Sequence, residues 1–556
     1  MQQYKLAHPT NIWTDSLKSL EKDISSLNKT VHLFTTQLSK DDEIKDINPE
    51  LVSDCAINCP RLGGHFDKLT NVAHEIAFAL YPMDSSDKKY EVKRDYTYIK
   101  YQRTLSTLSR IFKTEREKEE AIKNEFKNVR KNTQRQFFCT LKNLPPSKLV
   151  TDPVPMPVTV APLEELEPFF KHLAENQIVN EPNRRFLRGI QYNDGRMDLC
   201  KQVVGPQFIG DLMQSLKKNT QVEHFLLGNN IINTKGAEAI SEFINGNFSK
   251  MKTWYLAGNE LNSQGIMLIC QALQKDKKCE ALWLKRNPIG PQGAIYIGDM
   301  LTTNDSIKIL DLHNTGLLDE GITHIFTALK KNTSLRHLYC DANAITVIGA
   351  KVMAEYFDYL TKNSLKGVTS IWLDINRLDD EGTIVLAKSL RNYTHLKSLV
   401  IGSNRMTDVG AKVLCESLVQ HKKLRVLDLG LYKSTSDLGE LPNNIGDVGM
   451  EYINNFIENN NSVEVLSILH NNISLDKIED MANSLQKNNK LKYIYYVQYG
   501  LHIPQETDDK IRAKLSDNIN KEYGLTYGDF IAHKLRLIRL SKRIKNIDSL
   551  YRNSSK

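Results

Sequence analysis

At 556 residues, with 40% apolar and 25% charged side chains, the chain has ordinary globular composition and room for about two to four structural units. Eight cysteines in so long a chain exclude a disulfide-stapled miniprotein, and the absence of any run of about 18 apolar residues excludes a helical membrane protein. The formal charge of +8 is modest, and the opening MQQYKLAHPTNIWTD carries no basic-then-apolar signal, so a cytoplasmic protein with reduced cysteines is expected.

Residues 1–144 read as an α-helical domain. The stretches 13–39 and 96–144 are charged and helix-forming, with apolar residues three and four apart: Tyr98, Tyr101, Leu105, Leu108 and Phe112 mark one stripe. Between them, 66–81 reads as a more apolar helix. Cys55, Cys59, His65 and His74 invite a zinc reading, but their spacings do not match the usual ligand pairs, so neither metal nor cofactor is expected. Residues 145–162 are proline-rich, favour extended backbone and form a linker. Residues 163–193, with a helix over 163–177 and the segment 186–192, are expected to cap the N-terminal end of the repetitive segment that begins at Asp194.

From Asp194 to about residue 505 the chain repeats itself with a period near 28 residues. The frame Leu-x-x-Leu-x-Leu-x-x-Asn-x-Ile/Leu begins at Val222, Met251, Cys279, Ile307, Leu335, Val368, Leu396, Leu424, Val463 and Leu491, after a degenerate copy at Asp194. The step lengthens to 33 after Leu335 and to 39 after Leu424. Such repetition marks a solenoid, in which no unit buries its apolar face alone and stacking supplies the core. Within a unit, alternation such as Ile309, Leu310, Asp311, Leu312 predicts a strand buried on one side. The Asn series (Asn230, Asn259, Asn287, Asn343, Asn376, Asn404, Asn443, Asn471) falls where the chain must turn, and its amides can satisfy backbone groups of neighbouring units. Thr315 substitutes in one unit, Gln202 and Tyr499 at the ends. Six residues later comes Gly in eight units, as at Gly349, Gly410 and Gly449, opening a helix that it lets approach the strand layer.

A 28-residue unit pairing this frame with a Gly-led helix resembles the ribonuclease-inhibitor class of leucine-rich repeats. That class also occurs in Ran GTPase-activating proteins, in the sensing ends of NOD-like receptors and in GALA-type bacterial effectors, which the helix openings at Gly236, Gly349 and Gly410 resemble most. The resemblance implies an α/β leucine-rich-repeat horseshoe, with parallel strands on the concave side and helices outside. It also implies a non-enzymatic protein-recognition scaffold, a delivered effector in host cytoplasm being one form of it; the alternative is a regulator of the Ran GTPase-activator type. No GxxxxGK[ST] accompanies the repeats and no GxSxG elbow is present, so no catalytic site is assigned.

The candidate binding surface is the outward face of the repeat strands. Strands about 4.8 Å apart turn one position per repeat into a row: Asp198, Leu226, Tyr255, Trp283, Asp311, Tyr339, Trp372, Val400, Asp428, Ser467 and Tyr495. Tyr255, Trp283, Tyr339 and Trp372, rimmed by Lys285, Asp311, His313, Asp341 and Asp374, have the composition of a protein-binding hot spot if they project into solvent. The insertion 432–442 adds a loop on the same rim.

Residues 506–556 are expected to form a helical C-terminal cap with a basic tail. From 531 to 556 there are eight Lys or Arg against the single acid Asp548. With Ile531, Leu535 and Ile538 as an apolar stripe, Lys534, Arg536, Arg539, Lys542 and Arg543 suit an anionic membrane surface or acidic partner, or simply the solvated side of a docked cap. Nucleic acid ranks behind both.

Overall fold

The computed structural model describes residues 159–435, 438–498, 501–535 and 538. The expected helical domain, the cysteine–histidine group at 55–74 and most of the linker lie outside the described residues.

Strand and helix alternate as the period requires. After α1 (Leu163–Ala174) come β1 (Asn183–Arg185) and β2 (Ile190–Tyr192), then β3 (Arg196–Asp198), α2 (Gly205–Leu216), β4 (His224–Leu226), α3 (Asn233–Asn245), β5 (Thr253–Tyr255), α4 (Ser263–Leu273), β6 (Ala281–Trp283) and α5 (Gly290–Thr303). Next are β7 (Ile309–Asp311), α6 (Leu318–Leu329), β8 (His337–Tyr339), α7 (Val347–Lys362), β9 (Ser370–Trp372), α8 (Asp379–Leu390), β10 (Ser398–Val400) and α9 (Asp408–Leu418). The series closes with β11 (Val426–Asp428), α10 (Asp447–Asn459), β12 (Val465–Ser467), α11 (Leu475–Leu485), β13 (Tyr493–Tyr495), α12 (Gln505–Tyr523) and α13 (Tyr527–His533).

The strands form one sheet in sequence order, parallel from β3 onward, with the β1–β2 hairpin added antiparallel at its N-terminal edge. Layered against the helices, this is the horseshoe that the resemblance implies. The middle residue of each strand, from Met197 and Phe225 to Leu466 and Ile494, enters the continuous core, as do Leu310, Leu338 and Leu399. Each such side chain is worth roughly 1.5–3 kcal/mol of burial, realised only because neighbouring repeats supply both flanks. At the N-terminal end Leu166, Phe169 and Leu173 of α1 close the core; at the other end Ile511 and Leu515 of α12 do so.

The Asn series forms a ladder. Asn376 accepts from Asn343 N (3.0 Å) and Ile345 N (3.1 Å), and donates to Cys340 O (3.0 Å) and Leu373 O (2.9 Å). The same pattern recurs at Asn287, Asn343 and Asn443. At the C-terminal end Gln498 donates to Ile468 O and Tyr496 O at 3.0 Å each, and Tyr499, expected in this place, lies outside the described residues.

The helix-opening Gly also has a different reason from the one its position suggests. At Gly349, Gly410 and Gly449 it faces a carboxylate of the preceding helix as well as the apolar side chain four positions earlier, whereas at Gly236 an added Cβ would meet only Ile232. Asp380 of α8 accepts from the amides of Thr407 (2.8 Å) and Gly410 (2.9 Å), capping the next helix, and a Cβ at Gly410 would lie 2.6 Å from that carboxylate. Asp408 repeats the device on Gly446 and Gly449. The 33-residue step is taken up by α7, 16 residues long, and the 39-residue step by the loop before α10.

Candidate functional site

The predicted row is present in the predicted register: Asp198 through Tyr495 stand side by side across eleven strands. Their exposure differs from expectation. Tyr255, Trp283 and Tyr339 are only 2%, 6% and 6% exposed, while Trp372 is half-buried. Together with Leu226, Ala281 and Ile309 they make a second apolar cluster on the sheet face opposite the core. Part of the reason is lateral. Rings wider than the strand spacing lean on one another, with centroids 6.0 Å apart for Tyr255–Trp283, 5.6 Å for Trp283–Tyr339 and 4.9 Å for Tyr339–Trp372.

Trp283 and Tyr339 come together across the intervening strand, above Asp311, which is 3% exposed. Burial lifts the Asp311 carboxyl above its ordinary value; Lys285 and His313 pull the other way without cancelling it. A carboxyl raised in the folded state contributes stability that is complete below its unfolded value of 3.8 and is lost as pH rises through the folded one. Asp311→Asn keeps the oxygen that accepts His313 N at 2.9 Å. Its melting temperature should exceed that of wild type at pH 7, and the gap should shrink as the pH is lowered toward 4. A gap independent of pH would contradict the assignment.

The rim residues are placed by specific bonds. Lys285 Nζ lies 5.8 Å from the Tyr255 ring centroid. His313 Nδ1 is 3.4 Å from Asp341 Oδ2, and its ring stands 5.9 Å from that of Tyr432. Asp341 and Asp374 are buried and face the backbone: Asp341 Oδ1 accepts from Asp374 N (2.8 Å), and Asp374 Oδ1 from Gly402 N (2.7 Å). Just past the three-residue strands, carboxylates thus replace a missing carbonyl of the ladder. The polar ring read as a hot spot is in large part backbone chemistry.

The insertion folds back over this rim. Tyr432 and Leu438 pack on Ala342, Ala344 and Ile375, and Thr435 Oγ1 donates to Ser403 Oγ at 2.7 Å. Glu440, its side chain fully buried, bridges Arg377 and Arg405, each at 2.8 Å. Nothing in the repeat frame announced this triad, because its members come from three different units.

At the C-terminal end α12 extends the ladders: Asn518 donates to Asn488 O (3.0 Å) and Leu491 O (2.9 Å). Gly524, at φ +63°, then turns the chain so that Phe530 and Leu535 reach Val400, Val426 and Val465 on the outward face. The buried stripe is therefore led by Phe530, and Ile531 is 38% exposed. Lys534 Nζ sits 5.5 Å from the Tyr523 ring. Arg536, Arg539, Lys542 and Arg543 lie outside the described residues.

The five described cysteines, Cys200, Cys270, Cys279, Cys340 and Cys415, are free and buried, and burial pushes the Cys415 thiol up to about 12. No described helix is long and apolar enough to cross a membrane.

Comparison with known proteins agrees with the geometry. The Leucine Rich repeat family model matches residues 393–415. Human NACHT, LRR and PYD domains-containing protein 5 is 26% identical over 199 residues, 35% of this chain and 16% of that protein. Ribonuclease inhibitor is 29% identical in mouse over 143 residues and 31% in pig over 142, in each case 25% of this chain and 30% of the inhibitor. The chain thus spans less than a third of the length of these relatives. The repeats of this chain are leucine-rich repeats of the ribonuclease-inhibitor-like class.

Proposed function

We propose that the protein is a non-enzymatic recognition scaffold whose repeats hold a protein partner against the outward face of β4–β9. The observation that carries this reading is the second apolar cluster. A solenoid needs only its inner core to fold, yet Leu226 and the mutually tilted rings of Tyr255, Trp283 and Tyr339 form an apolar floor on the other face. Tyr and Trp on a rigid sheet supply large contact area at little entropic cost, which suits a binding hot spot. The half-buried Trp372, Lys285 and His313 are the edges a partner would touch first. The likeness to ribonuclease inhibitor, a protein named for a protein target, supports the same reading.

Affinity capture with the full chain against Trp283→Ala/Trp372→Ala, followed by titration of whatever protein is recovered, tests it. The double variant should bind about 30-fold or more weakly, a loss of about 2 kcal/mol or more. Because Trp283 is buried, Lys285→Glu/His313→Ala serves as a second variant that spares the floor. Equal capture by both variants and wild type would rule this face out.

A further inference from the structure

The two edges of the solenoid differ sharply in charge. Along one, the chain passes from a strand to the next helix; along the other, it returns from a helix to the next strand. Around β8–β11 the returning connections 330–336, 363–369, 391–397 and 419–425 hold nine Lys or Arg and no Asp or Glu. The outgoing connections that come after the same strands, 340–346, 373–378, 401–407 and 429–446, hold three cations and four acids.

The register makes the cations one patch. Thr369 N donates to Arg336 O (2.9 Å), Lys397 N to Thr369 O (2.6 Å) and Arg425 N to Lys397 O (2.7 Å), so these positions follow one another at the strand spacing of about 4.8 Å. Lys330 pairs with Glu355 and Arg425 with Glu464. Lys331, Lys366, Arg391, Lys397, Lys422 and Lys423 are exposed and make no ion pair among the described residues. The imidazole of His395, in their midst, is held below its ordinary value by burial and then by Lys423, Lys366 and Arg336.

The patch is purely ionic. None of the exposed large apolar side chains lies in these four connections. It therefore offers no wedge for a bilayer and no platform on which bases could stack. Its extent, three strand spacings across four strands, matches a short extended chain of carboxylates. We propose that this edge is a second interaction surface, separate from the sheet face, that takes an acidic segment of a protein partner. Single exposed ion pairs are weak and screened by salt, so the contact depends on several lysines acting together.

The test uses the full chain and a short fluorescein-labelled poly-L-glutamate, read by anisotropy at low salt. Duplex DNA and phosphatidylserine-containing vesicles form parallel arms. Lys366→Glu/Lys397→Glu/Lys422→Glu/Lys423→Glu is compared with Lys171→Glu/Lys218→Glu/Lys235→Glu/Lys510→Glu, an equal charge change placed elsewhere on exposed positions. Both variants are first checked for an unchanged melting temperature. Poly-glutamate should bind wild type and the control within about twofold of each other, and the patch variant about tenfold or more weakly. Equal losses in both variants, no binding by wild type, or tighter capture of DNA or vesicles through the same four lysines would each overturn the proposal.

Discussion

Asn376→Ala should destabilise the repeats by about 4 kcal/mol, far more than the same change at Asn471. Both amides sit in the same ladder, but Asn376 is fully buried and Asn471 is half-buried. Truncating Asn376 orphans the amides of Asn343 and Ile345 and takes a donor from the carbonyls of Cys340 and Leu373. A buried polar group left unpaired costs about 1–3 kcal/mol, and water has little access between packed repeats. At Asn471, which serves Ile445 N, Leu429 O and Ile468 O near the C-terminal end, solvent can replace the lost bonds, and a loss of about 1 kcal/mol is expected. Urea unfolding of both variants, followed at several probes because repeat arrays can unfold in parts, makes the comparison. Equal losses would mean that burial of the ladder is not what makes it costly to break.

This ladder was the most legible part of the fold, and the reason is physical. A fixed period forces the same backbone vacancy to recur, so the residue that fills it recurs too. The row of outward residues was legible for the same reason: parallel pairing without bulges carries sequence register directly into spatial register. A second ladder lies outside the LxxLxL frame. Asn219, Asn304, Asn332, Asn460 and Asn488 stand three residues before Val222, Ile307, Leu335, Val463 and Leu491. Asn332, for example, accepts from Ser334 and Leu335 N and donates to Leu301 O and Asn304 O. Its signal is an Asn at a fixed offset of three residues before the frame.

Exposure was not legible. Alternation says which face a residue takes, and for an outward face it says nothing of how completely rings shield one another or what lies over them. Thus Tyr255, Trp283 and Tyr339 stand in the expected row yet are buried. Carboxylates were misread for a related cause. Asp341 and Asp374 look like surface charge in the bare sequence, but the strands are only three residues long, and the next amide needs an acceptor.

Glu440→Gln should release the insertion loop from the rim and cost about 3 kcal/mol in its docking. Glu440 is fully buried and takes Arg377 Nε (3.1 Å) and NH2 (2.8 Å) on one oxygen and Arg405 NH2 (2.8 Å) on the other. Arg377 keeps 20% of its side chain exposed and can turn to water, whereas Arg405 keeps 5% and cannot. Removing the negative charge therefore strands a buried guanidinium, the situation in which breaking an ion pair costs about 3–5 kcal/mol. The loss need not appear in global unfolding, because the loop can detach while the ladders on either side persist. It should appear in amide exchange, with Leu431, Thr435, Glu440 and Asn444, whose N–H groups are all bonded in the native loop, exchanging about a hundredfold faster. Replacing both charges, as in Arg405→Met/Glu440→Leu, should recover much of the protection, since an apolar pair of similar volume carries no desolvation penalty. If the single variant exchanged like wild type, or the double variant were worse than the single, the triad would not be what holds the loop. Detachment should also carry Tyr432 away from His313, so the same variants report whether the rim needs its loop to present the sheet face to a partner.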